Sequence, residues 1–286
     1  MAPSTQTQQA EQRRLIVLIG AATLLLAALA WLLAQTHLWM RNWPLAAVIS
    51  LIACSGWIAA GWTAVWHLLK RWSQTRQSDM EATISQLVET FCMSVEMKDP
   101  YTRGHSERMT AYLLYLAEKV YGKLTPADEA RIRYGGLLHD IGKIYVPDEL
   151  LRKPEHLLAE EFEVVRAHPQ TGADIVSHIP GLSSSIPIIL HHHERFDGRG
   201  YPKGLSGHTI PLEARMAAIA DTFDAITSTR AYRGAQSVEA ALQEIITQSG
   251  DQFDPDLVQT FVHHFHGIRQ LHHQFQQQSL RPSAGL

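Results

Sequence analysis

The sequence predicts an all-α protein, a helical bundle preceded by a two-helix transmembrane hairpin. Three observations predict it. Two apolar runs near the N-terminus are each about as long as a bilayer-crossing helix. From about Gln77 onward, apolar residues recur at the three- and four-residue spacing of a helix with one buried face. No stretch alternates apolar and polar residues over strand length, and no segment repeats.

Residues 1–12 are polar, Gln-rich and without periodicity, and read as a disordered leader. The hairpin is expected over residues 13–72. Arg13-Arg14 precede an uninterrupted apolar run at residues 15–34. A second, Trp-rich run at residues 45–69 ends at Lys70-Arg71 and Arg76. The connecting turn carries only Arg41, so the positive-inside bias puts both termini in the cytoplasm. A cleaved signal peptide is the rival reading, but no small-residue cleavage site is evident and the second span would still anchor the chain. Gly56 and Gly61 would allow close packing of the spans.

Residues 73–98 read as a linker helix that continues the second span, with Ile84, Leu87, Val88, Phe91 and Val95 at helical spacing. Asp99-Pro100 ends it, because a proline removes a donor and disfavours helix at the residue before it. A helix follows from about Gly104 to Tyr121, closed by Gly122. The next starts near Pro126, a favoured first-turn residue, and runs through Gly135-Gly136 into His139-Asp140. Further helices are expected over 160–178 and 183–193, separated by Pro180-Gly181. After a Gly-rich loop at 194–211 comes a helix over 212–227, whose Ala-rich face holds Asp221 and Asp224. Two more are expected near 238–248 and 256–266. Residues 267–286 read as a Gln/His-rich tail whose histidines are a solvated helix end.

The 25 Lys and Arg residues nearly balance 28 Asp and Glu, and no basic stripe is present, so a polymeric nucleic-acid partner is not expected. Cys54 and Cys92 stand far apart, giving neither a disulfide framework nor metal-ligand spacing. Chemistry lies instead among the 16 histidines. His191-His192-His193 run into Glu194 at the expected end of a helix. Adjacent helical residues point about 100° apart, so at most two of these rings converge on one site. A histidine triplet alone is as consistent with packing as with metal binding. Its company shifts the balance: His105, His139-Asp140, His168 and Asp221 are residues that ligate hard-to-borderline divalent metals, with no cysteine near them to suggest a zinc finger. His191 reads as a packing residue, and His156, His178 and His208 have no motif around them.

The segment from about Asp99 to Val258 resembles an HD-GYP domain, a branch of the HD metal-dependent phosphohydrolase superfamily. The resemblance is carried by Asp99 to Ser106, His139-Asp140-Ile141-Gly142-Lys143, His168-Pro169 with Gly172, and the HHExxDGxGYP pattern from His192 to Pro202. Ile210 to Arg215 and Ala220 to Ala225 complete it in family order. On this basis residues 99–266 are expected to form the catalytic domain, an HD-superfamily bundle with a binuclear metal site. The resemblance implies that His105, His139, Asp140 and Asp221 bind one divalent ion, and that Asp140 bridges to a second held by His168, His192 and His193. Cleaving a phosphodiester needs a nucleophilic hydroxide, neutralised phosphoryl charge and help for a leaving alkoxide, which two divalent ions about 3.5–4 Å apart supply together. Family resemblance favours iron or manganese. It implies a catalytic Lys143 near the scissile phosphate, and substrate contacts from Lys143, Arg230, Arg233 and Tyr201.

Glu194, Asp197 and Asp224 are expected to orient the ligand histidines. Tyr101 stands where relatives with a third metal carry glutamate, and Ala231 where many have proline. The implied activity is hydrolysis of cyclic di-GMP to pGpG or GMP at a bacterial inner membrane. The rival readings are a catalytically silent cyclic di-GMP receptor and a phosphohydrolase for another cyclic dinucleotide or nucleotide. A homodimer through the linker helix and protein partners at the GYP loop are further expectations.

Overall fold

The computed structural model describes residues 20–22, 25, 27–29, 31–32, 43–98, 104–153, 155–229 and 234–279. The chain divides into two compact units, Met1–Thr83 and Ile84–Leu286. The expected leader, and most of the first apolar run, lie outside the described residues.

In the first unit the chain enters α1 (Trp43–Lys98), a single unbroken helix that joins the second apolar run to the expected linker helix. Among the described residues one helix, Leu51–Lys98, is long and apolar enough to cross a membrane. Trp57, Trp62 and Trp66 on it are all exposed.

Among the described residues of the second unit the regular elements are all helices, apart from one isolated bridge between Ser249 and Phe253. Its helices are α2 (His105–Tyr121), α3 (Pro126–Leu138), α4 (Asp148–Leu151), α5 (Ala159–Arg166), α6 (His168–Ser177) and α7 (Ile186–His191). Then come α8 (Leu212–Thr227), α9 (Val238–Thr247), α10 (Pro255–His263) and α11 (Phe265–Ser279). Local chemistry starts several of them. The Thr125 hydroxyl accepts the Asp128 N–H at 3.1 Å ahead of α3, Ser237 caps α9, and Asp254 caps α10 ahead of Pro255.

Two apolar clusters hold the bundle. The larger gathers Met109, Tyr112, Leu113 and Leu116 of α2, the Ala-rich face of α8 and the inner faces of α9 to α11 around fully buried Phe223. The smaller joins Val88 and Val95 of α1 to Leu138, Ile141, Val176, Leu182 and Ile189. The site lies where α2, α3, α6, α7 and α8 come together. Small residues on α8, Ala217 and Ala220 among them, let that helix pack closely on α2.

Two expectations need correction. The helix expected over 160–178 is two, α5 and α6. Pro169 has no N–H to give the Val165 carbonyl four residues back, so the helix stops and restarts. Between α3 and α5 the chain forms a 3-10 turn at Ile141–Tyr145 followed by α4. Residues 267–279 are not a solvated tail but most of α11. Ile268 and His272 are buried, Leu271 and Phe275 pack beside them, and the Tyr112 hydroxyl lies 3.2 Å from His272 Nδ1. The Gln/His composition hides an apolar residue every three or four positions.

Candidate metal centre

Helix ends build this site. An α-helix leaves its last carbonyls without intrahelical partners, and three histidines at such ends each take one of them. His139 Nδ1 donates to the Gly136 carbonyl (2.7 Å), His168 Nδ1 to Val165 (2.7 Å) and His192 Nδ1 to Ile189 (2.8 Å). The Val165 carbonyl is the one freed by Pro169. In each ring the carbonyl fixes the proton on Nδ1, which leaves a bare lone pair on Nε2.

Those lone pairs converge. His168 Nε2 lies 3.4 Å from His192 Nε2 and 3.2 Å from Asp140 Oδ1, while His139 Nε2 is 3.3 Å from Asp140 Oδ2. With Nδ1 protonated, none of these is a hydrogen bond; acceptor faces acceptor. His139 Nε2 and Asp140 Oδ1 are buried without a hydrogen-bond partner. Buried acceptors of this kind are costly unless something positive sits among them, so the donor set fits divalent cations. Ligand atoms of Asp140, His168, His192 and His193 all lie within 4.8 Å of one another, as do those of His105, His139 and Asp140. Asp140 belongs to both groups. Asp221 joins the second through His105, with Oδ1 3.2 Å from His105 Nε2.

The charges follow from the packing. Burial alone would raise the Asp140 carboxyl, but the Lys143 ammonium, 2.6 Å away, holds it well below the usual range. Asp221 is likewise held well below, against burial, by His105. Burial and neighbouring imidazoles push His192 far down and His193 to about 3, so both rings are neutral at physiological pH. His105 goes the other way. Burial lowers it, but hydrogen bonds to Asp221 and Asp224 outweigh that and raise it to about 9.

Around this core the expected supporting residues divide. Asp224 Oδ2 meets His105 Nδ1 at 2.7 Å. Arg108, not among the expected site residues, holds the same carboxylate with Nε (2.7 Å) and Nη2 (2.9 Å). It stands three residues after His105 on one helix face, a spacing from which it is readable. Glu194 and Asp197 are corrections, since neither reaches a ligand histidine. Glu194 accepts the Lys203 and Leu205 amides (2.7 and 3.1 Å), and Asp197 pairs with Arg195 and Arg199. Both staple the loop, because the chain after His193 turns them away from the cleft toward its own backbone. Gly200 lies against that turn, where a Cβ would be 2.6 Å from both Glu194 Cα and the His193 carbonyl.

Tyr201 does reach the site: its ring lies 4.8 Å from that of His193, with the Arg166 guanidinium 5.1 Å above it. Burial raises the Tyr201 phenol, so it remains a neutral donor. His191 stays outside both groups, 3.6 Å from Glu194. Arg230 and Arg233 lie outside the described residues.

Comparison with known proteins follows the same lines. The HD domain family matches residues 89–257. A cyclic di-GMP phosphodiesterase response regulator of Xanthomonas campestris is 36% identical over 76% of this chain and 56% of its own. A cyclic di-GMP phosphodiesterase of Pseudomonas aeruginosa is 41% identical over 59% of this chain and 40% of its own. A 3'3'-cGAMP-specific phosphodiesterase of Vibrio cholerae is 34% identical over 65% of this chain and 36% of its own. The chain thus spans from about a third to a little over half the length of these relatives. It belongs to the HD-domain family, in the HD-GYP branch that its signature residues and these relatives support.

Proposed function

We propose that this chain is a metal-dependent phosphodiesterase that hydrolyses cyclic di-GMP to pGpG or GMP. The observation that carries the reading is the pair of ligand groups sharing one buried carboxylate, Asp140. Two divalent ions fit it, held by His105, His139, Asp140 and Asp221 on one side and by Asp140, His168, His192 and His193 on the other. Mixed imidazole and carboxylate ligands suit iron or manganese. Bound there, the ions would neutralise phosphoryl charge and make water a nucleophile at neutral pH. The chain's own part is positional. Helix-end carbonyls aim the Nε2 atoms, Arg108 and Asp224 seat His105, and Lys143 brings a cation beside Asp140 for the charge that grows in the transition state. Tyr201 forms one wall as a neutral hydroxyl donor, with Arg230 and Arg233 as phosphate contacts.

The same reading anchors the chain by two spans in a bacterial inner membrane, with both termini and the domain cytoplasmic. The tryptophan-rich, exposed apolar surface of α1 supports it. Dimerisation through the linker helix and partner binding at the GYP loop remain part of the proposal.

The 3'3'-cGAMP-specific relative supports a second reading, in which the substrate is that dinucleotide. The deciding assay uses the full chain, purified without oxygen in detergent, loaded with Fe²⁺ or Mn²⁺ and offered both dinucleotides. Turnover of cyclic di-GMP at the higher kcat/KM is expected. Preference for 3'3'-cGAMP would move the reading to the second substrate, and binding without turnover to a receptor.

His105 makes metal uptake pH-dependent, and the sign follows from its raised value. Below pH about 9 the metal-free ring carries a proton, which a cation must displace. Affinity should therefore rise about tenfold per pH unit from neutrality until the ring loses its proton unaided, then level off. Mn²⁺ titration of the metal-free protein in dilute indicator dye at pH 7 is expected to release about one proton per chain. No release would remove His105 from the ligand set.

A further inference from the structure

The last turn of α1 grips both flanks of the centre. Gly104, the residue before α2, has no side chain with which to cap that helix, and its backbone is left-handed at φ 69°. Glu96 of α1 serves instead. Its Oε2 accepts the Gly104 N–H at 2.8 Å and its Oε1 the Ser106 N–H at 3.4 Å, the amides on either side of His105. A carboxylate there also complements the positive end of α2.

Two residues on, Lys98 Nζ donates to the carbonyls of Ile144 (2.7 Å) and Val146 (2.8 Å) and lies 3.3 Å from the Asp148 carboxylate. Those carbonyls close the 3-10 turn that begins immediately after Asp140 and carries Lys143. A cation suits its negative end. The connection runs on through the backbone: Val146 N–H donates to the Lys143 carbonyl (3.0 Å), and Lys143 N–H to that of Asp140 (2.9 Å). Arg152 Nε holds the Lys98 carbonyl at 3.1 Å, which fixes the end of α1 in turn.

We propose that Glu96 and Lys98 are positioning residues for the metal centre. Glu96 seats His105, Lys98 seats Asp140 and Lys143, and one helical turn keeps the two ligand-bearing segments in register. Neither touches a ligand side chain; each acts through backbone. The inference rests on the reading of the centre as a pair of ions, and it separates the two residues by what they reach. His105 belongs to one group of candidate ligands, whereas Asp140 belongs to both.

Calorimetric titration with Mn²⁺ tests it on the full chain, stripped of metal in detergent. Two binding events are expected for the unaltered protein. Glu96→Ala should weaken one of them about tenfold, and Lys98→Met both, the size usual when support behind a ligand is lost. Glu96→Gln keeps an acceptor and Lys98→Arg keeps a cation, so these should recover most of the affinity. If Glu96→Ala does not fold, Glu96→Asp, one methylene short, carries the same expectation. Unchanged Mn²⁺ affinities in Glu96→Ala and Lys98→Met would overturn the proposal. So would conservative variants as weak as the truncations, because that pattern marks general loss of packing. Fewer than two events in the unaltered protein would instead sink the two-ion reading, and this inference with it.

Discussion

Asp140→Ala is expected to strip both ions from the protein and to lower cyclic di-GMP hydrolysis by at least about a thousandfold. The size follows from several kcal/mol of metal-derived charge stabilisation at about 1.4 kcal/mol per factor of ten. The reach to both ions follows from geometry. One oxygen of Asp140 stands 3.2 Å from His168 Nε2, and the other 3.3 Å from His139 Nε2 and 2.6 Å from the Lys143 ammonium. No other carboxylate among the described residues belongs to both groups of candidate ligands. The fold should survive. Without the carboxylate five imidazoles and a lysine no longer share an anion, but His192 and His193 are already neutral, and Lys143 retains a path to solvent. Metal content by elemental analysis, turnover and a far-ultraviolet spectrum on one preparation would decide it. A folded variant that kept two ions and turned over within tenfold of the unaltered rate would remove Asp140 from the bridging role.

Much of this arrangement is legible in the amino-acid sequence. His139-Asp140, His168 and the 192–193 pair are marked by residue type and by the breakers around them, and α8 announces Asp221 and Asp224 through its Ala-rich face. The mechanism of aim is not legible there. That three rings turn Nε2 inward depends on carbonyls left over at helix ends, and a one-dimensional pattern does not say where a helix leaves them. Pro169 comes nearest to saying it, yet its effect is masked because apolar periodicity runs straight across the break. Glu194 and Asp197 mislead for a related reason. Acidic residues beside a histidine run look like its supports, but the Gly198 and Gly200 turn carries them back onto loop amides. Composition misleads at the C-terminus, where Gln and His dominate α11 by count and four buried or half-buried side chains, Ile268, Leu271, His272 and Phe275, set its position.

Gly142→Ala should do from the backbone what Asp140→Ala does from the side chain, and the two are distinguishable. Gly142 sits between Asp140 and Lys143 in the 3-10 turn. A Cβ there would collide with the His168 carbonyl and come within 2.7 Å of the Gly172 amide nitrogen. Both obstacles are backbone in the first half of α6 and cannot rotate away, so the turn must lift from the helix that supplies His168. Overpacking of this kind costs about 1–3 kcal/mol, and a misplacement near 1 Å at a reacting centre costs about a hundredfold in rate. The expected result is a melting temperature several degrees lower even in the metal-free protein, together with about a hundredfold loss of kcat. Asp140→Ala, by contrast, leaves this packing intact. Gly172→Ala offers the graded comparison: its added methyl would meet Ile189 Cγ2 at 3.0 Å, Ile141 Cγ2 at 3.2 Å and the Gly142 amide nitrogen at 3.3 Å, none as close as the backbone contacts at Gly142. It should be milder on both measures. Equal stability and turnover in Gly142→Ala and the unaltered protein would mean that the turn and α6 are not pressed together as the backbone places them, and that His168 and Asp140 are held in one cleft by some other contact.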